Sequence, residues 1–298
     1  MRVQFPSSAI TPRFNRGFFY GLNNLLEPGK YQILKNLLST YGKAAVAFSG
    51  GVDSTFLLKT AVKTLGMENV LACIGISPSL SQHQLDQARQ MAELIGVRLV
   101  EIPLDELKNP NYQANKADRC FHCKTCQFRT IQEYAAQQGF THLLCGSNFD
   151  DKNDYRPGNR AVEALGIGTP LMDAELTKAD IRELSRQLGL PTADLPASPC
   201  LASRIAYGQS ITANKLKQVE QAEDFLRQLG FVEFRVRHHG DLARIEVPAG
   251  QIERIAQSDC REKITKQFKK FGFHYISLDL QGFRSGSLNE MLSENDKI

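Results

Sequence analysis

A short apolar run, Ala44 to Phe48, leads directly into Ser49-Gly50-Gly51-Val52-Asp53-Ser54, and Thr55 to Leu65 then carries leucine and alanine at helical spacing. A run of that length and composition suits a buried parallel strand. Strand, glycine turn and helix N-terminus in succession aim several backbone N–H groups at one point, and the helix dipole adds partial positive charge there. The point suits an anion such as a phosphate chain. Gly50 and Gly51 let the backbone approach the ligand and reach dihedrals closed to other residues. Ser49 and Ser54 offer hydroxyl donors, and Asp53 suits a metal ion or a helix cap.

The surrounding pattern agrees with an α/β fold. Tyr31 to Tyr41 reads as a helix, Val70 to Ser77 as a second buried strand, and Gln82 to Ile95 as a helix with Leu85, Ala88, Met91, Ala92 and Ile95 on one face. Val97 to Ile102 and His142 to Gly146 read as further strands. The alternation predicts an open parallel sheet with helices on both faces, its ligand at the carboxyl ends of the strands. Gly146 and Asp151, at the end of the fourth predicted strand, are expected beside the nucleotide, with Asp150 and Asp151 suited to magnesium or substrate. A solvated acidic loop is the alternative there. Arg156 follows as a further residue available to an anion.

Pro191 to Pro199 reads as a connector. The expected organisation is an extension over 1–29, a nucleotide domain over 30–195, a smaller α+β domain over 196–286 and a loose tail over 287–298. In the second domain Phe234 to Val236, Leu242 to Val247 and Tyr275 to Leu280 are expected strands, and Gln251 to Phe268 one helix. Glu220, Glu223 and Glu246 are candidates for acid/base work near Cys200, although periodicity places Glu220 and Glu223 among solvated helix residues.

The 298 residues carry a net charge of +4, too mild to indicate nucleic acid and equally suited to small anions. No apolar run approaches a membrane span. The first 26 residues hold three arginines and no acid but lack a signal-peptide apolar core. Seven cysteines, an odd number, point to a reducing compartment, and a cytoplasmic location is expected. Cys73 and Cys145 lie in predicted strands as small hydrophobes, and Cys260 lies in a mixed context. Cys120, Cys123 and Cys126 instead form a C-x2-C-x2-C run preceding an expected helix, Gln127 to Gln138, and Cys200 lies in a proline-flanked loop. The run is similar to iron–sulfur binding runs. Four thiolates also suit structural zinc, and free thiols are a third possibility. Ser203 and Arg204 follow Cys200, and an adjacent guanidinium favours the reactive thiolate; the alternative is that Arg204 pairs with a carboxylate.

The loop is neither a Walker A loop, which requires GxxxxGK[ST], nor a GxGxxG turn. SGGxDS resembles the signature of the PP-loop ATP pyrophosphatases. Together with RCFHCK, GSNFDD…DYRPG, LTKADIREL, PCLASRIAYG and RVRHHGDLARIEV, it makes the stretch from about Lys30 to about Gly286 similar to the LarE family of ATP-dependent sulfur transferases. That resemblance implies ATP and Mg2+ as cofactors. It also implies adenylation of the carboxylates of a pyridinium-3,5-dicarboxylate mononucleotide and their conversion to thiocarboxylates, on the way to a nickel-pincer nucleotide. Cys200 matches the family's sulfur-bearing cysteine, left as dehydroalanine in single-cysteine relatives. Relatives with three cysteines are thought to hold a [4Fe-4S] cluster; on that pattern Cys120, Cys123 and Cys200 are its ligands and Cys126 is surplus or exchanges with one of them. The resemblance also implies a homo-oligomer. Some of Arg235, Arg237, Arg244 and Arg284, with Arg235, Arg237 and Arg284 the candidates, are expected to hold the substrate's phosphate, since arginine suits bidentate phosphate contact; ordinary surface charge is the alternative. Competing readings are a PP-loop tRNA thiolase and a zinc-stabilised nucleotide-binding protein. An ammonia-using amidating ligase shares the loop but leaves the cysteines without a role.

Overall fold

The computed structural model describes residues 28–152, 157–284 and 286–291. All but the last two residues of the expected N-terminal extension, together with Arg156 and most of the expected tail, lie outside them. Helix α1 (Pro28–Ser39) leads to β1 (Ala44–Ala47), α2 (Val52–Leu65), β2 (Val70–Ile76), α3 (Gln82–Ile95) and β3 (Leu99–Pro103). A short helix α4 (Pro110–Gln113), the long α5 (Arg119–Gln137) and β4 (His142–Leu144) complete a four-stranded sheet. Its order is β3-β2-β1-β4 and every pairing is parallel. Alternation along the strands feeds two cores. Ala44, Val46, Ala72 and Ile74 face α1, α2 and α3, joined by Leu171, Ile181 and Leu184. Ala45, Leu71, Cys73 and Leu143 face Phe128 and Ile131 of α5. Because both faces are covered, the strands are apolar throughout, as the sequence pattern requires.

Three further helices follow: α6 (Pro157–Ala164), α7 (Pro170–Asp173) and α8 (Lys178–Gln187). The last opens on a reciprocal capping box between Thr177 and Asp180. Beyond the proline-rich connector, α9 (Ala213–Gln228) covers a three-stranded sheet of β5 (Arg235–His239), β6 (Leu242–Glu246) and β7 (Tyr275–Leu278). Strands β5 and β6 are antiparallel, and β7 runs parallel to β6. The expected single helix over Gln251 to Phe268 is two, α10 (Ile252–Ala256) and α11 (Ser258–Lys270). Gln257 between them is extended, with φ −58° and ψ 144°, and breaks the hydrogen-bond ladder.

The polar stretch expected as loop between Leu104 and Arg119 contains α4, and it ties the two sheets together. Asn115, fully buried, donates to the carbonyls of Ile205 (3.2 Å), Ala206 (2.8 Å) and Gln209 (2.9 Å). It accepts from Arg119 Nη1, whose guanidinium lies over the Tyr207 ring at 4.6 Å. Leu201 N donates to Ser79 O at 2.9 Å. Glu220, placed by periodicity on a solvated face, instead accepts from Gln82 N at the start of α3 (2.6 Å). These contacts hold the Cys200 loop at the carboxyl end of β2.

Candidate functional site

The glycine turn has the geometry its sequence requires. Gly50 adopts φ +70°, and a Cβ there would fall 2.8 Å from Ala88 Cα, so only glycine fits. Gly51 precedes the first turn of α2 in extended conformation. The hydroxyls of Ser49 and Ser54 lie 3.0 Å apart, and Ser54 Oγ accepts from Ser49 N (3.3 Å), closing the turn on the helix. The Val52 side chain is buried in the core. Gly146 lies against the same turn: a Cβ on it would stand 3.0 Å from Ser54 N.

Asp53 meets a residue that sequence reasoning passed over. Its Oδ2 is 2.5 Å from Lys178 Nζ, and its Oδ1 accepts from Asn148 Nδ2 at 3.3 Å. Lys178 is the first residue of α8, and its backbone N donates to Asp150 (2.8 Å). The LTKAD capping box signalled a helix start; that the start points a lysine at the glycine turn emerges only from the packing of α8 on α2. Asp151 is buried, and its carboxylate accepts from Asn148 N (3.0 Å), bracing the loop.

The cysteine run does not precede a helix; it lies on one. Helix α5 begins at Arg119, so Cys120, Cys123 and Cys126 occupy its first turns. At about 100° per residue, Cys123 lies about 60° around the helix from Cys120, and Cys126 about 120°. Cys123 and Cys200 rest on one apolar cluster with Tyr112, Leu201, Ile205, Leu216 and Val219. Cys120 is exposed and Cys123 half-buried; desolvation by the surrounding protein raises the thiol pKa of each, and the proximity of Cys200 raises both further. Cys126 is raised by burial among Asp105, Glu106 and Thr130 instead. Cys123 and Cys200 thus share one cluster, with Cys120 within electrostatic reach of Cys200, and Cys126 turns away, into a cavity of about 240 Å³ with Asn109, His122, Thr125, Arg129 and Thr130. Among the described residues, no three or more His, Cys, Asp or Glu side chains are grouped to hold a metal ion.

Beside the three thiols runs a buried chain that the sequence did not reveal. Ser79 Oγ donates to Glu106 Oε1 (3.0 Å) and so accepts from Tyr112, whose hydroxyl is 2.6 Å away. Glu106 is 1 % exposed and its Oε2 has no hydrogen-bond partner. The Tyr112 hydroxyl is raised by burial, then by Cys200 and Cys123.

Arg204 does something other than the expected stabilisation of a thiolate. Its Nε and Nη2 fork onto Glu223 (2.9 and 3.0 Å), with both residues buried. Its Nη1 donates to the carbonyls of Pro199 (2.6 Å) and Cys200 (3.2 Å) and to Ser203 Oγ (2.8 Å). Ser203 Oγ donates to Cys200 O (2.7 Å). The guanidinium thus fixes the backbone that carries the cysteine. Glu223, expected on a solvated face, also accepts from Val236 N at 3.1 Å.

The arginines of the small sheet separate in role. Arg235 donates to Ala197 O (2.7 Å) in the Cys200 loop and lies over the Phe283 ring; burial, then the neighbouring Arg204, lowers its pKa to about 10. Arg237, 6 % exposed, donates to Ser203 O (3.0 Å), Glu246 (2.8 Å) and Ser287 Oγ (3.0 Å). Arg284 pairs with Glu290 (3.3 Å) on its exposed side. Among the described residues, no helix is long and apolar enough to cross a membrane.

A glycine turn closed by two serines at a strand-to-helix junction, with a carboxylate beside it, defines a nucleotide-activating PP-loop. The NAD synthase family model matches residues 30–259. The chain belongs to that family, part of the PP-loop superfamily of ATP-using enzymes. It is 37% identical to the pyridinium-3,5-bisthiocarboxylic acid mononucleotide synthase (LarE) of Lactiplantibacillus plantarum over 85% of this chain and 91% of that protein. An uncharacterized protein of Synechocystis is 42% identical over 88% of this chain and 98% of its own length. The NH(3)-dependent NAD(+) synthetase of Chlorobaculum tepidum is 26% identical over 71% of this chain and 76% of that protein.

Proposed function

We propose that this chain is an ATP-dependent sulfur transferase that converts the two carboxylates of a pyridinium-3,5-dicarboxylate mononucleotide to thiocarboxylates. The observation that carries the reading is the attachment of the Cys200 loop to Ser79, at the end of the strand beside the one that bears the glycine turn. Activation and sulfur thereby share one end of one sheet. A carboxylate oxygen attacks the α-phosphorus of ATP, the bond to the β-phosphate oxygen breaks, and pyrophosphate leaves. Backbone N–H groups of the Ser49–Ser54 turn and the α2 dipole fit the phosphates. Asp53 suits the accompanying Mg2+, and Lys178, displaced from Asp53, suits the departing charge.

A sulfur nucleophile then forms a bond to the acyl carbon and AMP leaves with the bonding electrons. Two sources fit the residues. Cys200 Sγ can attack directly. Loss of its Cα proton with cleavage of Cβ–Sγ then releases the thiocarboxylate and leaves dehydroalanine. The gathering of Cys120 and Cys123 with Cys200 favours the other source: three thiols suit the irons of a [4Fe-4S] cluster, which when bound would supply an extra sulfide and spare Cys200. Arg204 and Ser203 hold the Cys200 backbone in either case.

The test is iron and acid-labile sulfide in protein purified without oxygen, for wild type, Cys200→Ala and Cys126→Ala. Cluster content is expected to fall in Cys200→Ala and to persist in Cys126→Ala. Metal-free wild type in which turnover strips the mass of hydrogen sulfide from Cys200 would assign the direct route. Zinc in place of iron would return the cysteines to a structural role.

A further inference from the structure

Helix α3 grips the glycine turn through a side chain that none of the roles above uses. Gln87, half-buried, donates from Nε2 to Gly50 O at 2.6 Å. A carbonyl oxygen only accepts, so the nitrogen end of the amide is the one that faces it. The Ala88 backbone closes on the same glycine and fixes its Cα. Helix α3 is itself anchored on both sides of this contact. Its N-cap, Ser81, accepts from Gln84 N (3.2 Å), Gln82 N donates to Glu220 (2.6 Å), and Gln84 Nε2 donates to Ser198 O (2.6 Å). The donor is therefore delivered to Gly50 from a fixed frame.

Peptide geometry decides what that bond controls. In a trans peptide the C=O of one residue and the N–H of the next point in opposite directions, and among the described residues no peptide bond is cis. Holding Gly50 O against α3 turns Gly51 N–H the other way, into the turn. There it meets Ser49 Oγ at 3.4 Å, a long contact that an incoming phosphate oxygen can replace. Turning this plane over changes ψ of Gly50 and φ of Gly51, and neither residue has the Cβ that would resist the change. Gly51, now at φ −79°, would move to a positive φ that glycine alone tolerates well.

We infer that Gln87 is a positioning residue for nucleotide activation: its hydrogen bond locks the Gly50–Gly51 peptide in the orientation that presents Gly51 N–H to the phosphates of ATP. The two glycines that let the backbone approach the ligand also leave this one plane free to turn over, and Gln87 removes that freedom. Without the donor, the turn spends part of its time with Gly50 O facing the phosphates, and affinity falls by the fraction lost. The inference concerns the ATP site alone and does not depend on the source or the fate of the sulfur.

The experiment is calorimetric titration of the full chain with ATP and, separately, with pyrophosphate, each with Mg2+, for wild type, Gln87→Met and Gln87→Lys. Methionine keeps the length of the side chain without the donor, and lysine restores a donor of similar reach. Titration in about 0.5 M salt, where the Debye length is about 4 Å, screens the charge that lysine adds. Gln87→Met is expected to weaken both ligands by one shared factor of about five- to tenfold, the contribution of a single hydrogen bond to a backbone carbonyl. Gln87→Lys is expected to return both to within about twofold of wild type. The shared factor marks the lock, because the fraction of turns in the competent orientation multiplies the affinity of every phosphate ligand alike. General damage to the fold would not be reversed by lysine. Unchanged affinity in Gln87→Met, a loss confined to ATP, a loss that Gln87→Lys does not restore, or no binding of either ligand by wild type would overturn the inference. Sulfur in the product is read separately, so failure here and failure of the sulfur-transfer reading are distinct results.

Discussion

The two surfaces for which we propose anionic ligands are built in opposite ways. The first uses six consecutive residues, Ser49 to Ser54, and offers backbone N–H groups and a helix terminus. The second uses side chains from β5, β6 and the stretch after β7, with residues between Arg235 and Ser287 brought together by strand register. A backbone-built site has little freedom: Gly50 at φ +70°, against the Ala88 backbone, has no adjustable partner. A side-chain site can shift each guanidinium between internal carboxylates and an incoming ligand. The first is therefore expected to fail abruptly under substitution, and the second by degrees.

The sharpest probe of the joint between them is Arg204→Ala. It leaves Glu223 buried without its cation and frees the carbonyls of Pro199 and Cys200. A loss of about 3–5 kcal/mol is expected in denaturant unfolding; a loss under 1 kcal/mol would mean that the Cys200 loop is held by other contacts. In the backbone-built site, Gly50→Ala is expected to lower ATP-dependent pyrophosphate release by about 10²-fold, since a displacement near 1 Å suffices for that. A tenfold or smaller effect would break the contrast drawn here.

His238, beneath the side-chain face, gives a pH-dependent probe. Burial, then the charge of Lys215, lowers its pKa to about 4, against an ordinary value of 6.5. The folded state therefore favours the neutral ring. The group costs nothing above pH 6.5 and destabilises progressively as pH falls from there towards 4. The loss is about 3 kcal/mol at the lower end. Unfolding measured from pH 7 to 4 should show that slope in wild type, and His238→Gln should flatten it. Smallest is Lys178→Ala, which releases Asp53 from its ion pair. A rise of about tenfold in KM for ATP is expected at unchanged fold stability, since a half-exposed pair contributes little to folding.

The same contrast governs what could be read in advance. The glycine turn, the parallel sheet and helix α3 from Gln82 to Ile95 were legible because local propensity and period agree there with the tertiary environment. The start of α5 was not, because the RCFHCKTC run has little apolar periodicity; its helix is held by Arg119 and Asn115 against the loop after Cys200. Glu223 looked solvated by spacing alone, yet a charged partner 19 residues earlier, Arg204, is what makes its burial tolerable. Lys178 and the chain of Tyr112, Ser79 and Glu106 are juxtapositions across elements, which no local pattern encodes. The Arg237–Arg244 pairing depends on strand register, which the hydrophobic alternation of β5 and β6 sets only once the strands are paired.

The most direct measurement incubates anaerobically purified protein with ATP, Mg2+ and pyridinium-3,5-dicarboxylate mononucleotide, and follows both pyrophosphate and product mass. Wild type is expected to release pyrophosphate only with the dicarboxylate present and to yield a product in which sulfur has replaced carboxylate oxygen. Cys200→Ala is expected to keep pyrophosphate release while losing the sulfur product by at least about 10³-fold. Pyrophosphate release without any sulfur in the wild-type product, or sulfur transfer that survives in Cys200→Ala, would contradict the assignment.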